Sequence, residues 1–146
     1  ELFQAVHKAN HFKDVQTYYF HNCIYSKVYK TAECELGDWV DLDYLFKHYD
    51  KDYKVIIVGD AQMAPEELFD KNGNYKGPND GLSGYEWCQL LNSKYKKCVW
   101  MNPRYHAQRG MVTWMESEDA LSELFHMYTL SVDGLKEAIT YLLKSK

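Results

Sequence analysis

Tyr53-Lys-Val-Ile-Ile-Val-Gly-Asp60-Ala-Gln-Met63 is the stretch on which the fold reading turns. Val55 to Val58 is apolar without alternation, β-branched throughout, and too short for a helix. Such a run predicts a strand buried on both faces, as in the middle of a parallel sheet. Gly59 ends the strand and Asp60 follows in a loop. Ala64-Pro-Glu-Glu-Leu68 then starts a helical turn, with Pro65 suited to a first helical position. In open α/β sheets the ligand crevice lies outside the carboxyl ends of the strands. Asp60 falls there and is the leading candidate for a functional residue.

Working outward, apolar periodicity alternates between strand and helix. Upstream, Leu2, Val6 and Ala9 share one face of a helix. Asp14 to His21 and Ile24 to Lys30 read as two antiparallel strands joined tightly at His21-Asn22-Cys23. Thr31 to Val40 reads as a loop. Asp41 to Tyr49 reads as a short amphipathic helix, with Leu42, Leu45, Phe46 and Tyr49 inward and Asp41 at the N-cap. Downstream, Asp70 to Ser83 collects Gly, Asn, Asp and Pro and predicts a surface loop. Gly84 to Lys94 predicts a helix and Lys97 to Met101 a strand, followed by an irregular stretch from Arg104 to Met115. Ser117 is expected to cap a helix from Glu118 to His126, with Glu118 and Asp119 suiting its N-terminal dipole. Met127 to Leu130 predicts a strand. A last helix follows Ser131-Val132-Asp133-Gly134 and runs through Lys144, with Leu135, Ala138, Ile139, Leu142 and Leu143 facing in. The pattern describes an α/β layered domain with a mostly parallel sheet. Residues 1–146 read as one such domain, without internal repeat or low-complexity tract.

Bulk properties narrow the function. The 146 residues are 46% hydrophobic and 26% charged, which suits one domain with a sizeable core. Thirteen tyrosines dominate an aromatic share of 16% and supply bulky packing with a polar tip. A net charge of −4, with no basic arm or stripe, argues against nucleic acid as a partner. No apolar run reaches the roughly 20 residues of a membrane span, and no signal peptide opens the chain, so a cytoplasmic location is expected. The chain opens with Glu1 and directly in helical periodicity, which suggests an N-terminally truncated domain.

The four cysteines, Cys23, Cys34, Cys88 and Cys98, form no C-x-x-C pair and read as free thiols. His21 and Cys23 with Cys34 offer three zinc-type donors and lack an evident fourth. Cys–His nucleophilic catalysis lacks an orienting third residue. Trp87, Trp100 and Trp114 read as core. Arg104, His106 and Arg109 make a local positive cluster in a loop.

Several stretches together resemble the von Willebrand factor A-like domain of CoxE-like proteins. They are Asn10-His-Phe-Lys13, Tyr19-Phe-His-Asn-Cys-Ile-Tyr25, Val58-Gly-Asp-Ala-Gln-Met-Ala-Pro65, Val99-Trp-Met-Asn-Pro103 and Thr129-Leu130 with Asp133-Gly-Leu135. The resemblance spans nearly the whole chain. It implies a three-layer sandwich: helices on both sides of a mostly parallel sheet with one antiparallel edge strand. It also implies a metal-ion-dependent adhesion site, where a divalent ion such as magnesium takes hard oxygen ligands. Asp60 matches the last aspartate of that site. Asp41 falls at or near the position of its threonine. The D-x-S-x-S motif that follows the family's first strand does not occur in this chain, so the site is incomplete. The resemblance thus implies a protein-interaction module without enzymatic chemistry, working with a MoxR-type AAA+ ATPase in assembly or maturation of a complex.

The family's first strand would lie beside Val55–Val58. Without it, two outcomes are expected. Val15–Phe20 pairs next to Val55–Val58, or another chain fills the gap, including a second copy by strand exchange. The alternative function is a haloacid-dehalogenase-like phosphohydrolase using Asp60 as a magnesium ligand. Its early D-x-D motif would have to be Asp41-Leu-Asp43, which reads as a helix start.

Overall fold

The computed structural model describes residues 15–20, 23–34, 37–61, 63, 65–69, 81–103 and 115–144. The predicted helix at Leu2–Ala9, His21 and the clusters around Arg104 and Trp114 lie outside them. Five strands and five helices are described: β1 (Lys27–Tyr29), β2 (Trp39–Asp41), α1 (Leu42–His48), β3 (Lys54–Val58), α2 (Pro65–Phe69), α3 (Gly84–Lys94), β4 (Lys97–Asn102), α4 (Met115–Leu124), β5 (His126–Thr129) and α5 (Val132–Leu143). The fold is α/β, with a three-stranded parallel sheet in the order β3-β4-β5 and a two-stranded antiparallel sheet, β1-β2.

The centre of the parallel sheet is β4. Five of its six residues are buried, from Cys98 to Asn102, whereas β3 buries only Ile57. The expectation that Val55–Val58 runs mid-sheet is therefore corrected: among the described residues β3 is an edge strand. Its unbroken apolar run has another cause. Val55 and Ile57 pack into the core beneath α3 and α4, while Ile56 and Val58 pack on the opposite side with Val99, Met101 and α5. A strand covered on both faces reads apolar throughout whether or not it has two neighbours.

Local chemistry accounts for the helices. A capping box starts α3: the Glu86 N–H donates to Ser83 Oγ (3.2 Å), and the Ser83 N–H donates to Glu86 Oε1 (2.9 Å). Trp87, Cys88 and Leu91 then bury one face of that helix. Ser131 caps α5 by accepting from the Gly134 N–H (3.0 Å). Gly134, Ala138 and Leu142 form its buried stripe, and a Cβ at 134 would run into the Thr129 carbonyl. Leu143, expected to face in, is exposed. At the other end of α3, the Tyr95 hydroxyl donates to the Tyr49 carbonyl (3.0 Å) and the Leu45 carbonyl (3.3 Å), satisfying the end of α1.

Several boundaries move. Among the described residues, the predicted early hairpin is represented by one antiparallel bridge, Tyr19 with Tyr29. The regular partner of β1 is instead β2, whose Trp39 and Val40 were expected in a loop. Lys27 Nζ sits 3.6 Å from the Trp39 ring centroid, a cation–π contact across that ladder. Residues 15–20 form no ladder with β3, so the expected closure of the sheet by Val15–Phe20 is not what the chain adopts. Helix α4 begins at Met115, two residues before the expected cap.

Candidate functional site

The carboxyl ends of β3 and β4 carry the candidate site. β3 ends at Val58, and the Gly59 N–H extends its ladder to the Met101 carbonyl (3.1 Å). The Trp100 indole N–H donates to the Gly59 carbonyl (2.7 Å) and fixes the start of the following loop. Asp60 comes next, exposed, at the rim where the sequence places it. Ala61 follows with φ 58°, a left-handed conformation that a residue with a Cβ adopts only under constraint.

The constraint is Ser117. Its hydroxyl donates to the Ala61 carbonyl (2.8 Å) and accepts from the Met63 N–H (3.2 Å). Ser117 is fully buried, in the first turn of α4. The reading of Ser117 as an N-cap is thus corrected: the helix starts earlier, and the hydroxyl latches a loop more than fifty residues upstream in sequence.

Beside it, Glu118 and Asn102 are also fully buried. Asn102 Nδ2 donates to Glu118 Oε2 (2.9 Å) and lies 3.5 Å from Met127 Sδ, while the Asn102 carbonyl accepts from the Leu130 N–H (3.1 Å). One asparagine at the end of β4 therefore ties together α4 and the residues following β5. Glu118 near the N-terminus of α4 is also favoured by the helix dipole. The sequence signals were present, Asn102-Pro103 after an apolar strand and Ser117-Glu118 at a helix start. Each is common alone, and only the fold brings them together.

Asp41, the second carboxylate expected at the site, closes β2 and precedes α1. It holds the N-cap position of α1, as the sequence predicts, with extended backbone and without a side-chain capping bond. Its Oδ1 is buried and finds no hydrogen-bond partner among the described residues. Asp41 belongs to the antiparallel sheet and Asp60 to the rim of the parallel one. Among the described residues, no group of three or more His, Cys, Asp or Glu is placed to hold a metal ion. Two carboxylates on separate sheets do not by themselves fit a magnesium centre, which takes hard oxygen ligands in near-octahedral geometry.

Three of the four thiols, Cys23, Cys88 and Cys98, are buried. Burial pushes Cys23 and Cys98 up to about 12, and Cys88 is raised further by burial and by its two cysteine neighbours. A buried, protonated thiol is a poor nucleophile. A concavity of about 400 Å³ lies at the opposite end of the sheet, its lining including Asn92, Lys96, Glu123, His126 and Tyr141. No described helix is long and apolar enough to cross a membrane. The chain matches no protein-family model, no curated protein and no solved structure.

Proposed function

We propose that this chain is a protein-interaction module of the von Willebrand A-like type, a three-layer sandwich whose binding surface is the rim around Asp60. The observation that carries the reading is the Asp60 loop itself. An exposed carboxylate stands at the end of a parallel strand, on backbone held in a left-handed turn by a buried serine. A preorganised rim presents one charged group with little ordering left to lose on binding, which favours recognition. Helix α5 on one side of the sheet and α3 and α4 on the other support the sandwich. The edge position of β3 agrees with a related domain whose first strand would lie beside it.

The partner in this reading is a MoxR-type AAA+ ATPase, and the outcome is assembly or maturation of another complex. The module itself carries out no bond chemistry. Magnesium is no part of this reading, because Asp60 and Asp41 lie on separate sheets; the binding surface stands without it. The test is direct binding of the chain to a purified MoxR-type ATPase, with and without magnesium. Asp60→Ala should weaken binding about tenfold, the scale of a charge lost from a specific contact. Equal binding by wild type and Asp60→Ala would remove the rim from the account, and no binding by either would remove the partner class.

A further inference from the structure

Each strand of the parallel sheet begins with a basic or protonatable residue: Lys54 on β3, Lys97 on β4 and His126 on β5. Side chains two apart along a strand share a face. Lys54 therefore lies on the face of Ile56 and Val58, Lys97 on that of Val99 and Met101, and His126 on that of Tyr128, and these neighbours all pack with α5. The register sets Lys54 directly beside Lys97. Like charges side by side on a sheet are unfavourable, so stability alone does not select this pair. An aromatic ring holds the row. Lys97 Nζ sits 4.1 Å from the Tyr141 ring centroid, and the His126 ring stacks on Tyr141 with centroids 4.1 Å apart and planes at 24°. Tyr141 is in the last turn of α5, whose carboxyl-end dipole also favours cations. Lys54 Nζ donates to the Asp52 carbonyl (3.3 Å), a neutral acceptor that takes one of three N–H groups and leaves the charge uncancelled. Among the described residues, neither Lys97 nor His126 meets a carboxylate. Lys96, next in the chain, lies 3.9 Å from Asp52 Oδ1, a weak pair because both side chains are exposed. Glu123 lines the same concavity as His126, so a carboxylate bounds the row on the α4 side.

We propose that the row Lys54, Lys97 and His126 is a docking surface for a short acidic segment of a partner protein. Its carboxylates lie across the two ammonium groups and accept from the His126 ring. Such a segment relieves the like-charge pair, and Tyr141 has already placed the cations that receive it. The row crosses three strands, roughly 10 Å, the length of about three residues of extended chain. Lysine is a compact point charge and suits single carboxylates. The small size of the row favours protein over nucleic acid. A duplex carries a phosphate charge about every 1.7 Å and runs past the row onto a molecule of net charge −4; a short segment ends where the row ends. The three residues come from three separate parts of the chain, so no basic run marks the surface in the sequence. The row lies at the amino ends of the strands and Asp60 at the carboxyl ends, so this surface does not rest on the rim proposed above.

The experiment titrates the whole chain into a fluorescein-labelled short polyglutamate peptide and follows anisotropy, with polyglutamine and oligothymidylate as comparison probes. Saturable binding of polyglutamate is expected, weakening as salt rises from about 0.05 to about 0.3 M. Lys54→Gln and Lys97→Gln should each weaken it about threefold, and Lys54→Glu/Lys97→Glu more than about tenfold. Circular dichroism checks each fold, and the glutamine variants keep the test open if the double reversal does not fold. Lys30→Glu, a charge reversal beside β1, and Asp60→Ala, at the other end of the sheet, should each change binding less than about twofold. Amide shifts of the labelled chain on adding the peptide should centre on Lys97 and His126. Absence of saturable binding overturns the proposal. So does equal binding of polyglutamine, binding of oligothymidylate as tight as that of polyglutamate, a loss with Lys30→Glu as large as with Lys97→Gln, or shifts centred away from the row.

Discussion

Replacing Ser117 by alanine removes one oxygen and leaves two buried backbone groups unmet, the Ala61 carbonyl and the Met63 N–H. Both residues are buried, at 1% and 7% exposure, so water does not readily take the place of the hydroxyl. Each orphaned group costs about 1–3 kcal/mol. The loop then has reason to relax, and relaxation returns the roughly 1–2 kcal/mol held in the left-handed Ala61. The balance is a loss centred on about 2.5 kcal/mol, within a span of roughly 0–5 kcal/mol. Urea denaturation followed by circular dichroism measures it, and an unchanged slope with a lower midpoint identifies a change in stability rather than in compactness. A loss below about 0.5 kcal/mol, ordinary for a surface site, would refute the latch. Ala61→Gly gives an internal check. Glycine takes the positive φ without strain but loses a buried methyl, so the variant should fall within about 1 kcal/mol of wild type.

Four further outcomes are expected. Gly134→Ala should cost roughly 3 kcal/mol or prevent folding, because the new methyl meets the Thr129 backbone, and thermal unfolding would show it. Trp100→Phe keeps a ring against Phe125 but strands the Gly59 carbonyl; a loss of about 1–3 kcal/mol in urea is expected, and none would separate the indole from the rim. Cys23, Cys88 and Cys98 should resist a thiol reagent in the native chain at neutral pH and react on unfolding; prompt labelling of all three would contradict their burial. Stability should fall as pH rises from about 9, since Cys23 and Cys98 ionise near 9 unfolded but only near 12 folded, and Tyr95, raised to about 12 chiefly by burial, adds to the fall above pH 10. The sign is fixed by the unfolded chain losing those protons first, so a midpoint that climbs across this range would contradict it.

Periodicity and punctuation were enough to determine where most of the regular elements lie. Gly84–Lys94 is a helix from end to end as the sequence predicts, and Pro65 stands at the first helical position. The strands at Val55, Lys97 and Met127 appear within a residue or so of their expected limits. Asp60 was legible for the same reason, since a carboxylate following a buried strand and a glycine has few other places to go. These are local features, set by backbone sterics and by which side chains avoid water.

Rank within the sheet was not legible. A strand is apolar on both faces whenever helices cover both, and coverage says nothing about how many strands flank it. Cys98-Val-Trp-Met-Asn102 takes the centre with fewer β-branched residues than Lys54-Val-Ile-Ile-Val58, because α3 and α4 close on one of its faces, α5 on the other, and β3 and β5 on its edges. The hairpin partner of Lys27–Tyr29 was hidden in the same way, since three residues beside a turn carry little pattern. The polar pair Asn102–Glu118 and the latch from Ser117 to Ala61 join groups 16 and 56 residues apart in sequence. Such bonds exist only after the chain has folded, when burial makes an unmet polar group costly enough to choose its partner.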